Sequence, residues 1–235
     1  MQPMMALEYH KIGSPPRGSN SSWYIPEDTF VSHLKCLRDS GWRVVNLDGF
    51  LAGLNVKDVL SERLVLLTFD DAYRNLRTIA LPKLQEFGYP AVVFVPTNFI
   101  GGNNDFDRGR EPEEDICTWE DLHALACSGV SVQSHGVAHP EYGKLSSSQV
   151  KDEIEQSKAI LEGKLGEPVV AFAYPFGQTG KDYQATRAAL IQAGYRAAFL
   201  YDGKCIKFPA DVYCLNRLPL FPTTNLRTEL AAHAP

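Results

Sequence analysis

No apolar run in this chain of 235 residues approaches the length needed to cross a bilayer. Positive charge is not in excess either. Lys and Arg number 23 against 28 Asp and Glu, a net charge of -5, which argues against nucleic acid or an anionic membrane surface as the main partner. The five cysteines, Cys36, Cys117, Cys127, Cys205 and Cys214, are odd in number and contain no close pair. That excludes the usual zinc-ribbon and Cys-x-x-Cys redox spacings and leaves incidental thiols of a reducing compartment. No Gly-x-Gly-x-x-Gly follows the first apolar run and no Gly-Lys-Ser/Thr loop appears, so dinucleotide and nucleoside-triphosphate readings lose their support. There is no internal repeat and no low-complexity tract. Met1 to Leu7 lack the basic flank and long apolar stretch of a signal peptide. The expectation is a cytoplasmic protein, unless a leader has been trimmed.

What is present is alternation. At 44% hydrophobic, the chain can bury a large core. Short apolar runs at Ala6–His10, Val44–Val45, Leu64–Asp70, Ala91–Val95, Val130–Ser134, Val169–Ala173, Ala197–Leu200 and Tyr213–Leu218 read as strands. Helical patterns fall between most of them: Pro26–Ser40, Tyr73–Phe87, Thr118–Cys127, Ser146–Gly166 and Asp182–Ala193. Such alternation implies parallel strands with right-handed crossovers, in an open sheet or a barrel, within one domain spanning 1–235. The connection Thr97 to Cys117 is long enough to be functional.

The run Leu-Val-Leu-Leu-Thr-Phe from Leu64 to Phe69 reads as a strand buried on both faces, and it ends in Asp70 and Asp71. In α/β folds the chemistry collects at the carboxyl ends of strands. One such Asp could cap the next helix, but two adjacent carboxylates raise each other's pKa unless a positive charge lies beside them. A second strand, Val130–Ser134, runs into His135-Gly136-Val137-Ala138-His139. Two His four apart reach one metal ion from a helical turn or a tight loop. With one of the acids they make a two-His, one-carboxylate site with open positions, and the other acid is free to act as a base on water. That is a hydrolase site, although redox iron chemistry uses the same ligand set.

Thr68-Phe69-Asp70-Asp71, then His135-x-x-x-His139, then Tyr174-Pro175-Phe176-Gly177, together with Thr118-Trp119-Glu120-Asp121-Leu122, resemble the polysaccharide deacetylase (NodB-like) family, carbohydrate esterase family 4. The resemblance covers roughly Ala6 to Leu218. It implies a distorted (β/α)7-type barrel and metal-dependent removal of acetyl groups, usually from N-acetylated sugars. By it, Asp70 is the general base, and Asp71, His135 and His139 are ligands to a divalent metal, zinc first, with cobalt, nickel or iron open. Tyr174, Pro175, Phe176 and Gly177 line the substrate groove, where a backbone N–H helps to hold the oxyanion.

Three departures stand out. Gly136 occupies a position where the family usually has Ser or Thr. Ala173 occupies that of an arginine which orients the base, and Arg217 is the replacement only by default. The late Leu-x-His that supplies the general acid has no match, and His233 lies two residues from the end. His10, in Glu8-Tyr9-His10 at the end of the first strand, is the candidate acid, because in a barrel the first strand lies beside the last. His33 and His123 read as packing residues, and Trp119 and Tyr142 as core aromatics. Competing readings are an O-acetyl esterase, a hydrolase of non-sugar amides or imides, and a carbohydrate-binding barrel without turnover. The expected partner is an acetylated carbohydrate; oligomeric state is left open.

Overall fold

The computed structural model describes residues 3–19, 21–54, 62–201, 203, 205–206 and 208–232. His233 lies outside them. Among the described residues eight strands form one all-parallel sheet, as the alternation implies. They are β1 (Met4–Tyr9), β4 (Trp42–Val44), β5 (Arg63–Asp70), β6 (Ala91–Val95), β7 (Val130–Ser134), β8 (Ala171–Ala173), β9 (Ala197–Phe199) and β10 (Leu218–Pro219). The order is β10-β1-β5-β6-β7-β8-β9, with β4 on β5. The turn is completed by the chain just before β10. Leu215 bridges to Phe199 of β9, and Leu218 pairs with Leu7 of β1. The result is the distorted barrel. A separate pair, β2 (Lys11–Ile12) and β3 (Tyr24–Ile25), lies beyond the end of β1.

Period-two alternation sorts the apolar residues into two clusters. Met4 and Ala6 of β1, Leu64 and Leu66 of β5, and Val92 and Phe94 of β6 point inward and pack on Phe50, Leu47 and Leu51 of helix α2 (Leu47–Leu54). Met5, Leu7, Tyr9, Val65, Leu67 and Phe69 point outward, in the larger cluster that includes Phe30, Leu34 and Leu37 of α1 (Glu27–Asp39). Each such side chain, taken fully out of water, stabilises the fold by about 1.5–3 kcal/mol. The same alternation continues upward. Glu8, Thr68 and Asp70 share the inward parity, so the barrel interior ends in a polar layer at the carboxyl ends of its strands.

Several boundaries differ from expectation. The first strand ends at Tyr9, leaving His10 just past it. Val45 lies outside β4, and the chain turns at once into α2, which no periodicity announced. The stretch expected as a helix from Tyr73 starts with a π-helical turn at Leu76–Ala80, before α3 (Leu81–Phe87). β8 starts only at Ala171, and before it side chains take the amides: Glu162 accepts from Val169 and Gln133 from Val170. The expected strand Tyr213–Leu218 shrinks to the Leu215 bridge and β10. The remaining helices are α4 (Trp119–Cys127), α5 (Ser147–Leu165), α6 (Tyr183–Gln192) and α7 (Leu226–Ala232). All five cysteines are free, and among the described residues no helix is long and apolar enough to cross a membrane.

Candidate active site

At the end of β5 the backbone leaves the strand through two left-handed residues, Asp71 at φ 68° and Ala72 at φ 56°. Strand alternation alone would aim the two acids apart. The left-handed turn brings both to the same cavity. Neither caps a helix, since the next helical turn starts only at Leu76. Four non-glycine residues have positive φ among those described: Asp71, Ala72, His139 and Phe176. All lie in the three loops that carry the acids, the His pair and the Tyr-Pro-Phe-Gly motif. Backbone strain is thus concentrated at the site, where it must be held by its surroundings.

Asp70 is buried and gripped by Arg217. Nη1 donates to Oδ1 at 2.6 Å and Nη2 to Oδ2 at 2.7 Å, the bidentate geometry of the strongest carboxylate pairs. Arg217 also donates from Nη1 to Thr68 Oγ1 at 3.2 Å and from Nε to Leu200 O at 2.9 Å, and its Nε lies 3.2 Å from Glu8 Oε2. Burial by itself would raise the pKa of Asp70. The charges of Arg217 and His135 and the Arg217 hydrogen bonds outweigh it and hold the carboxyl far below its ordinary value.

His135 follows β7 directly. Its Nδ1 lies 2.8 Å from the carbonyl of Ala173. A carbonyl only accepts, so Nδ1 carries the proton and Nε2 presents a lone pair. That Nε2 lies 3.6 Å from Asp71 Oδ1, and His139 Nε2 lies 3.3 Å from the same oxygen. The turn between the two His is built around Gly136 at φ 81° and around Glu153 of α5. Glu153 Oε2 accepts from the amides of Val137 at 2.6 Å and Ala138 at 3.0 Å.

Asp71 Oδ1 is buried and has no hydrogen-bond partner among the described residues, although it faces two ring nitrogens. Burial, then the charges of Asp70 and Asp107, push its carboxyl well up; burial, then His135, pushes the His139 imidazole well down. Both shifts come from burying ionisable groups without a neutralising charge beside them. A cation is what such a donor set fits, since it would satisfy the orphaned Asp71 oxygen and the His135 lone pair at once, with His139 Nε2 at hand as a third ligand.

The cavity over these groups has a volume of about 260 Å³. His10 lines it, with Nε2 at 3.9 Å from Asp71 Oδ2, Nδ1 at 3.9 Å from Glu8 Oε1, and its ring 4.4 Å from that of Trp23. Burial presses its pKa down to about 3, against the pull of Asp70. Tyr174, Phe176 and Gly177 line the cavity too, with Phe176 set 4.8 Å from the His139 ring. Pro175 does not; it is buried behind the turn. His33 is buried against the Tyr9 hydroxyl and His123 sits on α4 beside Cys127, both away from the site. Trp119 and Tyr142 pack in the core.

Sequence reasoning missed Trp23, Tyr201, Tyr73, Asp107, Arg110 and Glu111, which also line the cavity. The last three come from the long Thr97–Cys117 connection. It is ordered, because it returns alongside the segment after β5: Tyr73 bridges to Ile116, Arg74 donates to Asp115 O at 2.8 Å and Cys117 to Ala72 O at 2.8 Å. Its length was the only signal.

A family model for polysaccharide deacetylases matches residues 57–198. YxkH of Bacillus subtilis (strain 168), whose name assigns it to the polysaccharide deacetylases, is 26% identical over 216 residues, 92% of this chain and 71% of that protein. The fold is shared with the deacetylase PplD of Streptococcus pyogenes in complex with acetate, at a TM-score of 0.85 and 22% identity over 99% of each chain. It is shared also with IcaB from Ammonifex degensii, at a TM-score of 0.82 and 22% identity over 100% of this chain and 98% of that one.

Proposed function

We propose a reaction from one premise: this chain belongs to the polysaccharide deacetylase family. The reaction is the hydrolysis of acetyl groups from N-acetylated amino sugars, in a glycan or glycan precursor, with a divalent metal held by Asp71, His135 and His139. The observation that carries this reading is the orphaned Asp71 Oδ1 between the His135 and His139 Nε2 atoms. The bound cation would act as a Lewis acid on the acetyl carbonyl and lower the pKa of water. Asp70 takes the proton from the attacking water. Its ionised form is secured by Arg217, which also fixes its plane. His10, neutral at rest because burial lowers its pKa, gives a proton to the leaving nitrogen only after taking one up, which the charge of Asp70 favours. Of the amides in the Tyr174–Gly177 turn, that of Tyr174 is committed to Phe199 O and that of Gly177 to Tyr174 O, and Pro175 has none. The amide of Phe176 therefore remains as the backbone donor to the oxyanion.

The test is acetate release from N-acetyl sugars, chito-oligosaccharides and acetylated xylan, with and without chelator. Release from N-acetyl substrates that stops with chelator and returns with zinc, cobalt or nickel is the expected result. Release from acetylated xylan alone would transfer the reading to an O-acetyl esterase. No release from any of them, in protein carrying one metal per chain, would overturn it.

A further inference from the structure

Among the described residues five carboxylates line the cavity: Glu8, Asp70, Asp71, Asp107 and Glu111. Four have a charged or metal-ligating partner. Glu8 and Asp70 meet Arg217, Asp71 faces His135 and His139, and Glu111 Oε2 takes Lys11 Nζ at 2.8 Å and Ser21 Oγ at 2.5 Å. Asp107 has no ion pair among the described residues. Its side chain meets only the hydroxyl of Tyr73, at 3.5 Å from Oδ2, the outer limit of a hydrogen bond. It is half-buried, and burial raises its pKa above the ordinary carboxylate value. A partly desolvated carboxylate on a cavity wall, with most of its lone pairs unused, is built to accept hydrogen bonds from what enters.

The carboxylate is also held in place. The residue before it, Phe106, packs its ring 4.6 Å from His139. The loop is tied to the strand pair β2–β3 by Lys11 and Ser21 on Glu111, and by Tyr24 Oη donating to Glu114 Oε1 at 2.6 Å. Within the loop, Asn104 accepts from the Glu114 amide at 2.8 Å and donates to Pro112 O at 3.0 Å. Lys11 itself is fully buried between the rings of Tyr24 and Tyr73, at 4.9 and 4.6 Å. Such struts place Asp107 before any substrate arrives, which lowers the ordering cost of binding.

We propose that Asp107 is the specificity-determining residue that selects a sugar over other acetylated compounds, by accepting hydrogen bonds from ring hydroxyls beside the acetamido group. The inference rests on the deacetylase reading of the same site. A carboxylate accepts from a ring hydroxyl such as that at C3 beside the acetamido group, whereas an aryl acetate has no donor to offer it. The rings of Trp23 and Tyr201, 5.8 Å apart on the same cavity, supply flat apolar surface for the sugar's C–H face.

The experiment compares the metal-loaded native protein with Asp107→Ala and Asp107→Asn on two substrates: a chito-oligosaccharide and 4-nitrophenyl acetate, which has no ring hydroxyls. Asp107→Ala should raise KM for the oligosaccharide by about ten- to a hundredfold, the worth of a hydrogen bond to a charged acceptor. Asp107→Asn, which keeps one acceptor oxygen, should raise it less. Both should keep their bound metal and lose far less on the ester than on the oligosaccharide. Equal losses on the two substrates would mean that Asp107 only shapes the loop, and an unchanged oligosaccharide KM would overturn the inference alone. If the native protein cleaves the ester but no acetylated sugar, the deacetylase reading falls and this inference with it.

Discussion

Arg217 and Asp70 meet fork to fork at 2.6 and 2.7 Å inside the barrel, although they lie 147 residues apart in the chain. The arginine arrives from the segment that joins β9 to β1, while Ala173, where the family's arginine would stand, is a small inward-facing residue of β8. The guanidinium therefore reaches the base from another side of the same ring. Replacing it should be severe. Arg217→Ala leaves Asp70 buried without its cation, a loss of about 3–5 kcal/mol for a broken buried pair. Arg217→Lys keeps a charge but not the two-pronged geometry. Chemical denaturation should show a large stability loss for Ala and a smaller one for Lys. Acetate release should fall in both, because the plane of Asp70 is no longer fixed. An Arg217→Ala protein with native stability would refute this account of the pair.

The two adjacent acids should separate by function. Asp70→Asn keeps the volume and removes the base, so acetate release should fall by about 10²–10⁴ while bound metal, measured by elemental analysis, stays near one per chain. Asp71→Asn should lose metal first and activity as a consequence. If both variants lose metal equally, the division of labour between them is wrong.

His10 should behave as an acid and not as a ligand. His10→Ala should reduce kcat by about a hundredfold. Metal content should be unchanged. A substrate whose leaving group needs no proton, such as 4-nitrophenyl acetate, should lose much less. Loss of metal on this substitution would remove His10 from the proton-donor role.

Asp70-Asp71 and His135-x-x-x-His139 were legible because each follows a run of strand residues, and parallel topology sends all such ends to one rim. The barrel was legible for the same reason. Arg217 could be named only by default, since nothing local distinguishes an arginine whose partner is contributed by a distant strand. Trp23 and Asp107 were invisible, as both sit in connections whose course depends on side-chain ties such as Lys11–Glu111. Helix α2 was missed because its eight residues are too few for periodicity to show, and a plug against the barrel floor decides its conformation.

His33 supplies a pH dependence that is independent of the active site. It is buried against the Tyr9 hydroxyl, and burial lowers its pKa from the ordinary 6.5, with a backbone hydrogen bond at Thr224 working the other way. In the unfolded chain the imidazole takes up a proton as pH falls through about 6.5, whereas in the fold it resists until lower pH. Stability contributed by the neutral ring is thus present above about 6.5 and lost on acidification. His33→Gln, which retains a hydrogen-bonding partner for Tyr9, should lose less melting temperature between about pH 7.5 and 5.5 than the native protein does. Parallel slopes in the two proteins would contradict the assignment.

Gly136 makes a prediction against the family's own preference. Ser or Thr is usual there, yet here the residue has φ 81°, and a Cβ would stand 2.9 Å from Glu153 Oε2 and 3.0 Å from Tyr142 Oη. Glu153 cannot simply withdraw, because the same oxygen holds the amides of Val137 and Ala138 and so the turn between the two His. Tyr142 is fully buried and has nowhere to go. Gly136→Ala should therefore cost about 1–3 kcal/mol from left-handed strain and overpacking. Gly136→Ser should be no better, since the clash is with the Cβ and not with the hydroxyl that serine carries beyond it. Metal affinity, read by competition with a chromophoric chelator, should weaken in both as His139 is displaced from Asp71. A Gly136→Ser protein as stable as native, with unchanged affinity, would mean that the turn relaxes more freely than its hydrogen bonds imply.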